Sequence, residues 1–163
     1  MGDLHNFPKD LMSVGRLDEK SEGLLLLTTD GKLSNYINSS KYGKEYYVLV
    51  DGAITNEAIK QMCDGIKIGF NGKKYQTKPC KVYKLSTPPL LPERSKKIRD
   101  ARHGPVTWIS VTLTEGKFRQ VRKMTSAVGF PTLRLVRTRI HTLNLDNLSV
   151  GEVVAVNNMN QIF

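Results

Sequence analysis

One acid in this chain has neighbours that could make it reactive. Asp18 lies in VGRLDEKSEGLLLLTTDG, residues 14–31, between Arg16 and four consecutive leucines, Leu24 to Leu27. A carboxylate held at the edge of a rigid apolar element can act as a nucleophile or a base, and a nearby cation keeps it ionised. The leucine run is too short to span a membrane and has no polar alternation, so it predicts a strand buried on both faces. Gly23 lets the chain turn into that strand. The same residues allow a plainer arrangement, in which Asp18 caps a short helix over Glu19 to Glu22 and Arg16 pairs with it on the surface. Types and spacing alone favour the plainer arrangement.

Two further stretches carry groups of interest. In KYGKEYYVLVD, residues 41–51, Tyr46 and Tyr47 stand beside Lys44 in a β-branched run. On pattern they are packing residues on opposite faces of a strand. In EGKFRQVRKMTSAVG, residues 115–129, Phe118, Val121, Met124 and Val128 recur at helical spacing, while Lys117, Arg119, Arg122 and Lys123 crowd the remaining surface. This pattern predicts an amphipathic helix with a basic face, closed by Gly129 and Pro131.

The elements that must position these groups are legible in outline. Asp30 is placed to cap a short helix carrying Leu33, Tyr36 and Ile37, and Thr55 to cap a second one that Gly65 stops. Asn71-Gly72 predicts a hairpin between Ile66–Phe70 and Lys73–Thr77. Strands are expected over Cys80–Leu85, Val106–Thr114 and Phe130–Arg139. In the last of these, leucines alternate with arginines as a core face and a cationic face would, so that Arg134, Arg137 and Arg139 could reach a polyanion. Between them, residues 87–104 hold three prolines and a run of basic residues, including Arg94, Lys96, Lys97, Arg99 and Arg102. This long segment is either a solvated surface loop or an arm that contacts phosphates. Strands outnumber helices and hairpin signals recur, which predicts an α+β domain with a central mixed, mainly antiparallel sheet.

Composition narrows the partners. The 163 residues carry 25 lysines and arginines against 15 acids, a formal charge of +10, on a chain with 39% hydrophobic residues. That excess on one small domain favours nucleic acid over an anionic membrane surface. No apolar run reaches the length of a spanning helix and no secretory signal opens the sequence, so a cytoplasmic protein is expected. Cys63 and Cys80 are expected to be reduced thiols. With His5, His103 and His141 scattered, no metal site is expected.

The motifs GRLD-x4-GLLLLT followed by DG, Lys44-x-Tyr46 and EGK-x-RQVRKM together resemble those of the pseudouridine synthases, in the branch that contains RsuA and RluE. The resemblance runs from about Ser13 to Val156. It implies that Asp18 is the catalytic carboxylate, that Arg122 pairs with it, and that Tyr46, rather than Tyr47, stacks on the target base. It also implies that Arg16 holds the displaced nucleotide stack open, since a base must leave its stack to be modified. The reaction would break the glycosidic bond of a uridine, turn the uracil and rejoin it through carbon, with no cofactor.

On this basis we expect a pseudouridine synthase-like catalytic domain flanked by helices and loops, filling residues 1–163 as a single monomeric unit without a separate RNA-binding module. The family's domain usually begins with a strand carrying a Lys-Pro pair. Here Lys-Pro occurs only at Lys78-Pro79, so truncation at the N-terminus is expected. The closing DNLSVGEVVAV resembles the family's C-terminal segment and predicts a final strand over Val153 to Val156. Ribosomal RNA, of the large subunit, is the expected substrate. Besides the catalytic three, Arg16, Lys44, Arg94, Lys96, Lys97, Arg99, Arg102, Lys117, Arg119, Gln120, Lys123 and Arg137 are the expected RNA contacts. Two rivals use the same residues differently. A retaining glycosidase needs a second carboxylate, for which Glu115 is the candidate. A non-catalytic RNA-binding or ribosome-assembly module makes no use of Asp18.

Overall fold

A computed structural model describes residues 6–39, 42–94, 97–98, 103–146 and 148–157. The elements run β1 (Met12–Val14), β2 (Glu22–Gly23), β3 (Leu26–Thr28), α1 (Gly31–Asn38), β4 (Lys44–Asp51), α2 (Asn56–Asp64), β5 (Lys67–Phe70), β6 (Lys73–Gln76), β7 (Lys81–Lys84), β8 (Val106–Leu113), α3 (Gln120–Ala127), β9 (Thr132–Ile140) and β10 (Leu143–Asn144). Among the described residues no helix is long and apolar enough to cross a membrane.

The frame is a six-stranded sheet in the order β10-β9-β4-β8-β7, with β2 added in parallel along β9. The other pairings within it are antiparallel, so the sheet is mixed and mainly antiparallel, and the chain is α+β as expected. Strand β4 holds the centre because its residues suit burial on both faces. Val48 and Val50 are fully buried on one side and Leu49 is buried on the other. On the first side Val48, Val50, Ile109, Val111 and Leu135 pack against Ala58 and Met62 of α2 and Val121 and Met124 of α3. A second, smaller cluster joins Val14, Leu24, Ile37 and Ile140 beneath α1.

Local chemistry sets the ends of the elements. Asp30 accepts hydrogen bonds from the amides of Lys32 and Leu33 and starts α1. Thr55 accepts from the amide of Ala58 and starts α2, which Gly65 ends. The β5–β6 hairpin turns through Asn71 and Gly72, both at positive φ, as the Asn-Gly pair predicts.

Three expectations need correction. The four leucines are not one strand buried on both faces: β2 ends at Gly23, and β3 begins only at Leu26 and pairs with β1 alone. With a single partner strand, Leu26 and Leu27 stay half-buried. Phe118 lies ahead of α3 rather than on its core face and is 62% exposed. The predicted last strand is absent: Val153 to Val156 make no ladder with any described strand and stay exposed.

Glu115 explains why α3 starts where it does. Its carboxylate accepts from the Tyr75 hydroxyl, the Lys78 amide at 2.7 Å and the Gln120 side chain at 2.8 Å, and Gln120 in turn accepts from the Lys117 amide at 3.0 Å. These bonds clamp β6, the segment before β7 and the entry to α3 together. Burial opposes ionisation of Glu115, but the three hydrogen bonds outweigh it and hold the carboxyl below its ordinary value of 4.5. A carboxyl held low adds stability that is complete above the ordinary value and lost as pH falls through the folded one. Glu115→Gln should therefore cost about 1–3 kcal/mol at neutral pH, as loss of a buried charged acceptor does. In thermal melts the gap between variant and parent should narrow as the pH drops below 4.5.

Candidate active site

Asp18 lies on an irregular segment between β1 and β2, and two glycines shape that segment. Gly15 and Gly23 have φ of +73° and +108°. At Gly23 a Cβ would stand 2.3 Å from the Arg137 carbonyl oxygen and 2.6 Å from its amide nitrogen, so only glycine lets the chain lie this close to β9. Between the glycines the Ser21 amide donates to the Asp18 carbonyl at 2.8 Å, closing a tight turn.

What holds the turn is a set of arginine side chains that donate to its backbone and to Glu22. From β9, Arg137 donates through Nε to the Leu24 carbonyl at 2.8 Å and through Nη1 to the Arg16 carbonyl at 3.4 Å. Arg134 grips both carboxylate oxygens of Glu22, at 3.1 and 2.9 Å, and reaches the Pro92 carbonyl at 2.7 Å. From the long loop, Arg94 donates to the Lys20 carbonyl at 3.1 Å and pairs with Glu22 at 3.4 Å. From α3, Arg122 donates to the same Lys20 carbonyl at 2.9 Å and to the Ser21 hydroxyl at 3.3 Å.

The last contact brings the two expected catalytic charges together. Nε of Arg122 stands 3.9 Å from Oδ2 of Asp18, with side-chain exposures of 13% and 23%. That nitrogen is buried and has no hydrogen-bond partner. Burial, followed by the positive charge of Arg119, makes the Arg122 cation less favourable than usual, and Asp18 acts in the opposite direction. A guanidinium remains charged even so.

Tyr46 is half-buried on β4, directly opposite Arg137 of β9 and Val111 of β8, on the face that carries the main core. Because opposed residues share a sheet face, Tyr46 lies on the side to which the Asp18 segment is tied through Arg137. Tyr47 points to the other face, toward a cavity of about 960 Å³ that Arg134 and Glu22 also line.

Several expected RNA contacts turn out to be internal. Gln120 is 3% exposed and engaged with Glu115 and Lys117, so it does not face a ligand. Arg94 is committed to Glu22 and Lys20. On β9, Arg134 and Arg137 are 8% and 3% exposed, and Arg139 pairs with Glu45 at 2.8 Å, so the strand has no solvated cationic face. The alternation was right but its meaning was not, since these arginines serve carbonyls and carboxylates inside the fold. Lys44 is likewise buried, between Leu113 and Ile140 in register, and its pKa is lowered by burial and then by Arg137. Arg16, Lys97 and Arg119 are exposed, and Lys117 and Lys123 are half-exposed. Lys96, Arg99 and Arg102 lie outside the described residues. Glu115, fully used by its clamp, is no free second carboxylate. Sequence reasoning missed Glu22 and Ser21, whose only signal is their place just before Gly23.

The profile of the RNA pseudouridylate synthase family matches residues 2–127. The chain belongs to this family. It is 39% identical over 147 residues to ribosomal large subunit pseudouridine synthase E of Xanthomonas campestris pv. campestris, covering 89% of this chain and 76% of the relative. The enzyme of the same name from Vibrio parahaemolyticus is 40% identical over 146 residues, and this chain spans only 59% of that relative's length. Among solved structures, a crystal structure of a pseudouridylate synthase superposes with a TM-score of 0.76 at 27% identity, covering 98% of this chain and 62% of that one.

The close approach at Gly23 has a direct test. Gly23→Ala should cost about 2 kcal/mol through positive φ and collision with β9, lowering the melting temperature by roughly 4–8 °C. Gly69→Ala, where a Cβ would meet nothing within 4 Å, should leave the melt nearly unchanged. Equal melts for the two variants would show that the segment is not pinned to β9.

Proposed function

We propose that this chain isomerises a uridine of large-subunit ribosomal RNA to pseudouridine. The observation that carries the reading is the Asp18–Arg122 pair, 3.9 Å apart on a turn braced from three directions, at the edge of the face that bears Tyr46. Family membership and relatives named for large-subunit RNA support the substrate class.

Each group has a role in the reaction. Asp18, as nucleophile or base at the sugar, opens the bond from C1′ to N1 of the uridine. The freed uracil turns, C5 bonds to C1′, and the proton on C5 leaves as N1 regains one, so substrate and product have the same atoms. Arg122 keeps Asp18 anionic as the nucleotide excludes water. Tyr46 stacks on the extruded base, replacing the stacking lost from the RNA. Arg16, exposed at the turn, helps hold the displaced nucleotide stack open. Lys117, Arg119 and Lys123 contact phosphates. Activity in the cytoplasm as a monomer, with no cofactor, completes the proposal.

The test is a single substitution. Asp18→Asn keeps the shape of the side chain but can neither attack the sugar nor take its proton. Incubated with unmodified ribosomal RNA and mapped chemically, the parent should yield pseudouridine and the variant none. RNA affinity should stay within about threefold, because phosphate contacts elsewhere are unchanged. Product formation that persists in Asp18→Asn would remove the catalytic assignment. Binding with no product from either protein would favour a non-catalytic RNA-binding module.

A further inference from the structure

Arg122 also lines a second depression of about 380 Å³, between α3 and the β5–β6 hairpin. Its lining includes Lys67 and Lys74 from the hairpin and Arg119, Arg122 and Lys123 from the α3 side, with no carboxylate among the lining residues. Lys67 and Lys74 are exposed and share one face of the hairpin with Gly69, which pairs with Lys74 and follows Lys67 by two residues. Gly69 has no side chain and open space above it, so nothing stands over the strand next to the two lysines. The hairpin is tied to α3: the Lys123 amine donates to the Gly69 carbonyl at 2.8 Å, and the Lys117 amine lies 5.0 and 5.3 Å from the ring centres of Tyr75 and Phe70. Phe118, 62% exposed, stands beside the same Lys123 at 5.3 Å from amine to ring centre.

Like charges gathered on one concave surface repel one another and focus a positive potential there, which an anion bound among them relieves. A groove with five cations, no acid and one shared wall with the catalytic pair suits a polyanion that passes through both. We propose that this groove carries the sugar–phosphate backbone of the RNA strand flanking the target uridine, with the Phe118 ring as a stacking face for one of its bases. The inference rests on the proposed function for the identity of the ligand, but it adds the β5–β6 hairpin to the RNA surface and sets a direction for the strand: from the Asp18 turn, past Arg122, onto Lys67 and Lys74. An unpaired strand fits better than a duplex, because an exposed aromatic ring among cations is the arrangement that binds splayed bases.

The test compares two variants with the same loss of charge. Lys67→Gln/Lys74→Gln removes two cations from the groove, and Lys32→Gln/Lys84→Gln removes two exposed cations from α1 and β7. Affinity for transcribed large-subunit ribosomal RNA is measured across a series of KCl concentrations. Each lost phosphate contact reduces the slope of log affinity against log salt by about 0.7–0.9, so the groove variant should be shallower by roughly 1.4–1.8 and the control should match the parent. Phe118→Ala should weaken binding about five- to a hundredfold with the slope unchanged, as loss of a stacked base does. A groove variant with the parental slope overturns the inference, and so does a control that flattens equally, since net charge alone would then be at work. Failure of the functional reading looks different: a parent with no Asp18-dependent pseudouridine removes the reaction, while a slope difference between the double variants would still locate RNA in the groove.

Discussion

The position of Asp18 depends on arginines donating to main-chain oxygens. The segment from Gly15 to Gly23 has little regular structure of its own, and its carbonyls at Arg16, Lys20 and Leu24 are met by Arg137, Arg94 and Arg122, with Arg134 fixing Glu22. Arginine suits this work because its planar fork offers several donors in fixed directions and does not lose its charge. One guanidinium can hold two points of a loop at once, as Arg137 does. The donors come from β9, from α3 and from the loop that follows β7, so the Asp18 turn is where three distant parts of the chain meet. The central sheet matters to the site mainly because it sets β9, and with it Arg134 and Arg137, at a fixed distance from that turn.

This arrangement leaves the two faces of the sheet electrically different. On the Tyr47 face the charges are matched: Glu45 accepts from Arg139, Ser110 and Tyr83, and although burial opposes its ionisation these bonds hold its carboxyl low. On the Tyr46 face they are not. Nη2 of Arg137 and Nε of Arg122 are buried without partners, and Lys44 has its pKa depressed by burial and by Arg137. A buried donor without an acceptor costs about 1–3 kcal/mol. A fold that retains two such donors, one of them 3.9 Å from a carboxylate, gives up stability that added acceptors can restore.

Much of the scaffold was legible from the sequence, because caps, turns and periodicity are local. Asp30, Thr55, Gly65 and Asn71-Gly72 each act on backbone within a few residues, and each does what its type predicts. The pairing of Asp18 with Arg122 was legible only through the resemblance, since nothing in either segment signals the other. The arginines of β9 were misread for a physical reason. An alternating leucine–arginine strand looks the same whether its arginines meet water or the carbonyls of another segment, and a backbone acceptor leaves no trace in residue types. Gln120 and Glu115 misled in the same way, as polar residues in a basic motif whose partners are amides and each other. The leucine run was misread because apolarity reports burial but not how many strands lie alongside.

The distance between Asp18 and Arg122 bears on how one carboxylate could serve as a reactive group. A guanidinium hydrogen-bonded to Asp18 would occupy the lone pairs that the proposed reaction needs and would stabilise the ground state as much as the transition state, which gains nothing for catalysis. At 3.9 Å the charge is felt, but the carboxylate oxygens stay available. Arg122 is kept at that distance because its Nη2 is anchored elsewhere, on the Lys20 carbonyl and the Ser21 hydroxyl. The anchor points belong to the same turn as Asp18, so cation and carboxylate move together and their separation is insensitive to motion of the turn as a whole. Nε remains buried and unpartnered, in position to donate to whatever negative charge develops next to Asp18. The turn therefore sets a cation beside a carboxylate, leaves the carboxylate unobstructed and supplies a donor next to it.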